Sequence, residues 1–270
     1  MASITTVPKD AFPKSGNWTQ DQLKLAFYFY CQTPFGKLHS RNPEVIELAA
    51  LIGRTPDALA MKLVNFASLD PSITTTGRRG LSGTSKLDRL IWEEFQADWE
   101  RLTVECEQIR SFLRRDYNMP VDTPDSIEDD ATDFTGETRE VMVQQRIKQQ
   151  FFRRAVLSSY HTRCCMSGLS DERLLVASHI VPWSADKANR LNPSNGLCLS
   201  AIHDKAFDAA LISLSDDLRI LVSERLLKPK DAFANLVFKP IVDKVIEVPE
   251  RFLPSRDFVA KHRKRFMANA

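Results

Sequence analysis

An acidic, proline-bearing stretch near the middle, DYNMPVDTPDSIEDDATDFTGE at residues 116–137, most limits how this chain can fold. It has few apolar side chains and no hydrophobic period. It therefore buries too little surface to offset the entropy of ordering, and reads as a linker. Three parts follow: a front domain over 15–115, an acidic linker over 116–140 and a back domain over 141–270. Charge separates along the same lines. Residues 1–115 carry 15 basic and 13 acidic side chains, residues 116–140 one basic and nine acidic, and residues 141–270 21 basic and 13 acidic. The whole-chain charge of +2 conceals this. A basic back domain favours a phosphate-bearing partner, although charge taken alone is better explained by solvated surface.

Several classes of protein are set aside at once. No apolar run approaches the roughly 20 residues that span a bilayer, and the N-terminus MASITTVPKDAF lacks the basic and apolar sections of a signal peptide. No membrane association is expected, and a cytoplasmic location is. The five cysteines, Cys31 to Cys198, are odd in number and include no C-x-x-C pair. Neither a disulfide framework nor a structural zinc is expected.

The front domain reads as helices. Thr19 followed by Gln22 is a capping-box pattern ahead of LKLAFYF. Asn42-Pro43-Glu44 starts a second helix, with Val45, Leu48, Ala49 and Ile52 on one face, and Gly53 stops it. Thr55-Pro56-Asp57 starts a third, with Leu59, Leu63 and Phe66 at helical spacing, which describes a helix-turn-helix arrangement. Residues 87–115 read as one long amphipathic helix whose aromatics belong to the core. Trp18, Thr19 and LAALIGRTPDALAMKLVNF resemble the tri-helical Myb/SANT-like DNA-binding module. Lys62 and Asn65 are then expected on the outer face of the third helix, within reach of a major groove; the plainer alternative is that they face water. In TTTGRRGLSGTSK, residues 74–86, Arg78 and Arg79 are candidate phosphate contacts, and a surface loop explains the glycines equally well.

The chemistry-bearing pattern lies in the back domain. His179, Asn195 and His203 stand within ASHIVPW and PSNGLCLSAIHDKAFDAALISLSDDLRI. LLVASHIVPW reads as a strand ending near His179, NGLCL as a turn and an extended stretch, and SAIHDKAF as a short helix bearing His203. A strand hairpin packed on a helix can face two imidazoles across a small gap. A neutral imidazole can take a proton from water near neutral pH, and a second can hold a divalent cation against a phosphate oxygen. An amide at Asn195 can tie down the intervening loop.

These residues, with the lead-in RIKQQFFRRAVLSSYHTRCCMSG at 146–168, resemble the HNH endonuclease family, in its branch with an H-I-x-P-W, N-G-L, H-D-x-x-F-D signature. The resemblance implies an α+β chain: a mainly α, helix-turn-helix-like front domain and a ββα-metal nuclease domain behind it. It implies His179 as general base, Asn195 as the bracing asparagine and His203 as a ligand of a divalent cation (Mg2+, or Mn2+ or Ni2+). Ser178 stands where many family members have a further acidic or histidine ligand. A hydroxyl is a weak ligand, so Asp208 is a candidate second one, with Asp204 the other nearby carboxylate. Arg153, Arg154 and Arg163, with Lys261, Arg263, Lys264 and Arg265, are candidate phosphate contacts. His161 and His262 are read as structural or phosphate-contacting.

The expected function is a metal-dependent DNA endonuclease of restriction type. The front domain reads double-stranded DNA, and modified DNA is one target that enzymes of this design take. Cutting both strands with one site per chain calls for a homodimer or two binding events. The alternatives are a DNA-binding regulator on an inactive HNH fold, of which Ser178 is the warning sign, and an RNA-directed nuclease.

Overall fold

In the computed structural model, which describes residues 16–74, 83–117, 136–228 and 230–269, the first helices begin where capping side chains stand. α1 (Gln20–Gln32) opens on a complete capping box between Thr19 and Gln22. Asn42 accepts from the Glu44 N–H at the start of α2 (Pro43–Leu51), and Thr55 accepts from the Ala58 N–H at the start of α3 (Pro56–Ala67). Gly53, at φ +65°, takes the left-handed conformation that ends α2. α4 (Pro71–Thr74), α5 (Lys86–Ala97) and α6 (Trp99–Asp116) follow. Cα packing divides the chain into two units between Gln150 and Phe151.

The front unit is organised around Phe27 of α1. Its ring meets Phe66 of α3 at 5.0 Å, Phe95 of α5 at 4.7 Å and Trp92 at 5.3 Å between centroids. Edge and tilted pairings of this kind add to simple burial. The single helix expected over 87–115 is in fact two. Asp98, at φ −153° and ψ 83°, breaks the run and caps α6 by accepting from the Arg101 N–H. An apolar period continues across such a break, which is why the pattern alone does not reveal it. The break lets α5 and α6 both pack against α1.

Lys62 and Asn65 do not lie on an outer face. Each is only 8% exposed. Lys62 Nζ stands 2.9 Å from Oδ1 of Asp88, itself 0% exposed, and Asn65 donates to the Gly83 carbonyl at 3.3 Å. Both flank the Leu59–Leu63–Phe66 stripe, and α5 covers that flank, bringing Asp88 onto Lys62. A buried charge is tolerated when it is paired in this way. On α3 the exposed positions include Asp57 and Met61 instead. The end of the Gly/Ser/Thr segment also serves the fold. Thr84 bonds Ser68, and Ser85 caps α5. Arg78 and Arg79, and most of the acidic linker, lie outside the described residues.

α7 (Gly136–Ser159) carries the boundary between the units. In the back unit, β1 (Leu175–His179) pairs antiparallel with β2 (Gly196–Ser200), with His179 opposite Gly196. β2 runs directly into α8 (Ala201–Asp208), which packs on both strands. β3 (Ile212–Leu214) and β4 (Ile220–Val222) make a second antiparallel pair. α9 (Ala232–Phe238) and α10 (Arg256–Asn269) complete the unit, and α10 packs on β3. The chain is thus α+β, and its back unit contains a strand–strand–helix element at 175–208. No helix among the described residues is long and apolar enough to cross a membrane.

Gly196 is where this element leaves no room for a side chain. A Cβ there would stand 2.3 Å from Val156 Cγ2 and 3.0 Å from Phe152 Cζ, both on α7. Gly196→Ala is expected to lower stability to urea by about 1–3 kcal/mol, the usual cost of overpacking, and Val156→Ala in the same chain to recover part of it. An unchanged midpoint in the single variant would contradict this packing.

His262 of α10 is 1% exposed, and its ring stacks on Phe207 at 3.6 Å between centroids. Its nitrogens meet Ser213 Oγ at 2.8 Å and the Phe207 carbonyl at 2.9 Å. Burial first, with the Arg265 charge adding, lowers its pKa to about 4 against the opposing pull of that carbonyl. Unfolding returns it to about 6.5, so the unfolded chain binds a proton that the folded one does not. Stability is complete above pH 6.5 and falls by on the order of 3 kcal/mol as pH drops toward 4. Urea titrations of wild type and His262→Gln over that range should show the decline in the first and a flatter profile in the second.

Candidate active site

His179 closes β1, and its ring is held on three sides. It lies parallel to Phe152 at 3.9 Å between centroids and edge-on to Trp183 at 5.5 Å. Nε2 lies 2.9 Å from the Arg190 carbonyl. A carbonyl only accepts, so Nε2 carries the hydrogen and Nδ1 keeps its lone pair. Burial lowers the pKa, outweighing that carbonyl and the charge of Asp208, both of which raise it. The arrangement is a neutral, oriented base with one nitrogen available.

Asn195 is fully buried and spends its amide on the connection between β1 and β2. Oδ1 accepts from the Val181 N–H at 2.8 Å; Nδ2 donates to the carbonyls of Val181 at 3.1 Å and Asn189 at 3.2 Å. Its own carbonyl accepts from the Ile180 N–H at 2.9 Å. Residue 180 follows His179, so these bonds anchor the chain beside that imidazole.

His203 stands in the first turn of α8 and is 2% exposed. Nδ1 lies 2.9 Å from Ser200 Oγ and 3.5 Å from Cys164 Sγ. Burial would raise the Cys164 thiol, but hydrogen bonds from His203, Ser167 and the backbone of Met166 and Ser200 prevail and bring it to about 6. Two buried atoms near this element find no hydrogen-bond partner among the described residues: His203 Nε2 and Ser178 Oγ. Ser178 still lies close enough to Asp204 to favour its charged form, against burial, which raises that carboxyl. Asp208 is exposed at the end of α8, and its charge acts on both His179 and Asp204.

Elsewhere the expected contacts divide. Arg153 donates to the carbonyls of Leu175 and Glu172, tying α7 to the start of β1, whereas Arg154 is exposed. His161 is exposed, 3.9 Å from Glu250. Cys165 donates through its N–H to the Cys198 carbonyl at 2.8 Å. The sequence reading did not single out Phe152, Arg190, Ser200 or Cys164 as parts of the site. Phe152, Cys164 and Ser200 fall inside the HNH-like stretches and Arg190 between them, which says nothing of their contacts.

No three His, Cys, Asp or Glu side chains converge as a metal cage among the described residues. One imidazole nitrogen and one hydroxyl, both buried and unpartnered, nevertheless suit a cation that keeps most of its ligands as water and substrate phosphate. The carboxylate of Asp204 lies beside that hydroxyl. No curated protein matches the chain. Residues 164–215 match the HNH endonuclease family, whose nucleases generally use a divalent metal, and this indicates a nuclease acting on nucleic acid.

Proposed function

We propose that the chain is a metal-dependent DNA endonuclease of restriction type, with His179 as general base. The observation that carries this reading is the tethered His179 ring. Nε2–H is committed to the Arg190 carbonyl, the faces and edges are packed, and Nδ1 is left to take a proton from water. Asn195 keeps that ring in place through the loop it braces. His203 Nε2 and Ser178 Oγ are the atoms that would hold the cation. When bound, a divalent cation neutralises charge on the scissile phosphate and on the leaving oxygen.

α10 supplies a phosphate-binding flank. Lys261 Nζ lies 3.7 Å from Asp186 in the β1–β2 connection, and Arg265 donates to the Asp208 carbonyl at 3.0 Å. Exposed Lys261, Lys264 and Arg265 thus border two elements of the site. The front unit serves target choice on double-stranded DNA, modified DNA included. Lys62 and Asn65 take no part in it, and Arg78 and Arg79 remain its candidate phosphate contacts. Double-strand cleavage by one site per chain calls for a homodimer or two binding events. A second reading, a DNA-binding regulator on an inactive fold, is favoured by Ser178 and by the lack of a converged metal cage among the described residues.

Plasmid incubated with Mg2+, Mn2+ or Ni2+ separates the two. Wild type is expected to nick or linearise it, and His179→Ala to be slower by at least about 10²-fold. Plasmid left intact by both proteins, with a gel shift retained, would establish the regulator instead. Neutralising Lys261, Lys264 and Arg265 to Gln is expected to flatten the dependence of log binding constant on log salt by about 2–3 units in slope. An unchanged slope would remove α10 from the interface.

A further inference from the structure

A short turn places one cysteine with accuracy. The Cys164 N–H donates to the Leu169 carbonyl at 2.8 Å, and the Gly168 N–H donates back to the Cys164 carbonyl at 2.8 Å. Gly168 sits at φ +75°, where a side chain is disfavoured. The Cys165 N–H then fastens the turn to β2 through the Cys198 carbonyl. Cys164 Sγ is delivered to His203 Nδ1 in a fully buried setting. From the other side Ser200, the N-cap of α8, brings Oγ to the same nitrogen while also accepting from the His203 N–H at 3.4 Å.

The direction of these bonds follows from what meets Nδ1. Ser200 Oγ and Cys164 Sγ both approach it, at 2.9 and 3.5 Å. A thiol is a weak donor and one lone pair takes one hydrogen well, whereas one N–H can be shared by two acceptors, so the hydrogen is assigned to Nδ1. Ser200 Oγ, with two lone pairs, can accept from both His203 N–H groups. Nε2 is then a bare lone pair, buried and without a partner among the described residues. A buried acceptor left unsatisfied is costly and points to a group that completes it.

We propose that Cys164 and Ser200 are positioning residues that hold His203 in its Nδ1–H form, so that the Nε2 lone pair faces a divalent cation. This rests on the reading of His203 as the cation's ligand. Outer hydrogen bonds of this kind fix the tautomer of metal-binding histidines and raise their basicity. The residue type is unusual for the task, since carboxylates and carbonyls are the common partners; here a cysteine sulfur and a hydroxyl share it.

Long-range proton–nitrogen NMR on metal-free, nitrogen-15-labelled wild type reads the tautomer directly, and the Nδ1–H form is expected. Mn2+ binding, followed by titration calorimetry, is expected to weaken about 10–100-fold in Cys164→Ala and in Ser200→Ala. Ser200→Thr, which retains the hydroxyl, should restore it. A purely structural role would alter neither the tautomer nor its rescue. An Nε2–H wild type, or a Cys164→Ala/Ser200→Ala double variant with undiminished Mn2+ affinity, overturns the clamp, and plasmid cleavage by wild type then decides the nuclease reading separately. Wild type in the Nδ1–H form that neither binds Mn2+ nor cuts overturns the ligand reading, and the proposal with it. Should the variants fail to fold, the wild-type tautomer still decides.

Discussion

The geometry of the candidate site depends on one buried amide. Asn195 closes the connection between β1 and β2 by bonding backbone groups at Val181 and Asn189 with its side chain, and Ile180 with its carbonyl. His179 immediately precedes the anchored stretch, and Gly196, its partner in the strand register, immediately follows the anchor. With a glycine there, α7 can press Phe152 against the imidazole. The imidazole is therefore oriented by the chain closure itself and by a missing side chain. Groups held by packing and outer hydrogen bonds keep the tight geometry that catalysis demands.

The two site histidines are treated in opposite ways. His179 is half-buried, with Nε2 tied to a carbonyl and Nδ1 left open. His203 is buried, with Nδ1 occupied twice and Nε2 left open. One arrangement suits proton transfer, the other a Lewis acid. His262 shows the contrasting case, in which both nitrogens are satisfied and the ring is stacked, so it serves the fold. What separates structural from chemical histidines here is which nitrogens lack a partner.

The front unit shows how tertiary packing redirects polar residues. Lys62 and Asn65 flank an apolar stripe, and an isolated helix would leave them in water. α5 covers Lys62 and the segment ahead of it meets Asn65 at Gly83; Asp88 both caps α5 and pairs with Lys62, so one carboxylate joins local and tertiary structure. The energetic logic is that of a buried pair: removing either partner strands the other.

Much was legible in the sequence because it depends on neighbours along the chain. Capping residues set the starts of α1, α2 and α3, Gly53 ended α2, and the succession around His179, Asn195 and His203 foretold strand, strand and helix. These are short-range effects of hydrogen bonding, side-chain period and backbone freedom. What the sequence could not express was which side chains meet from distant segments. The burial of Lys62, the Arg190 carbonyl on His179 and the Cys164 sulfur on His203 all arise from such meetings. Only the packing of helices and strands brought residues 39 positions apart onto one imidazole nitrogen, because nothing in local spacing encodes a contact across the core.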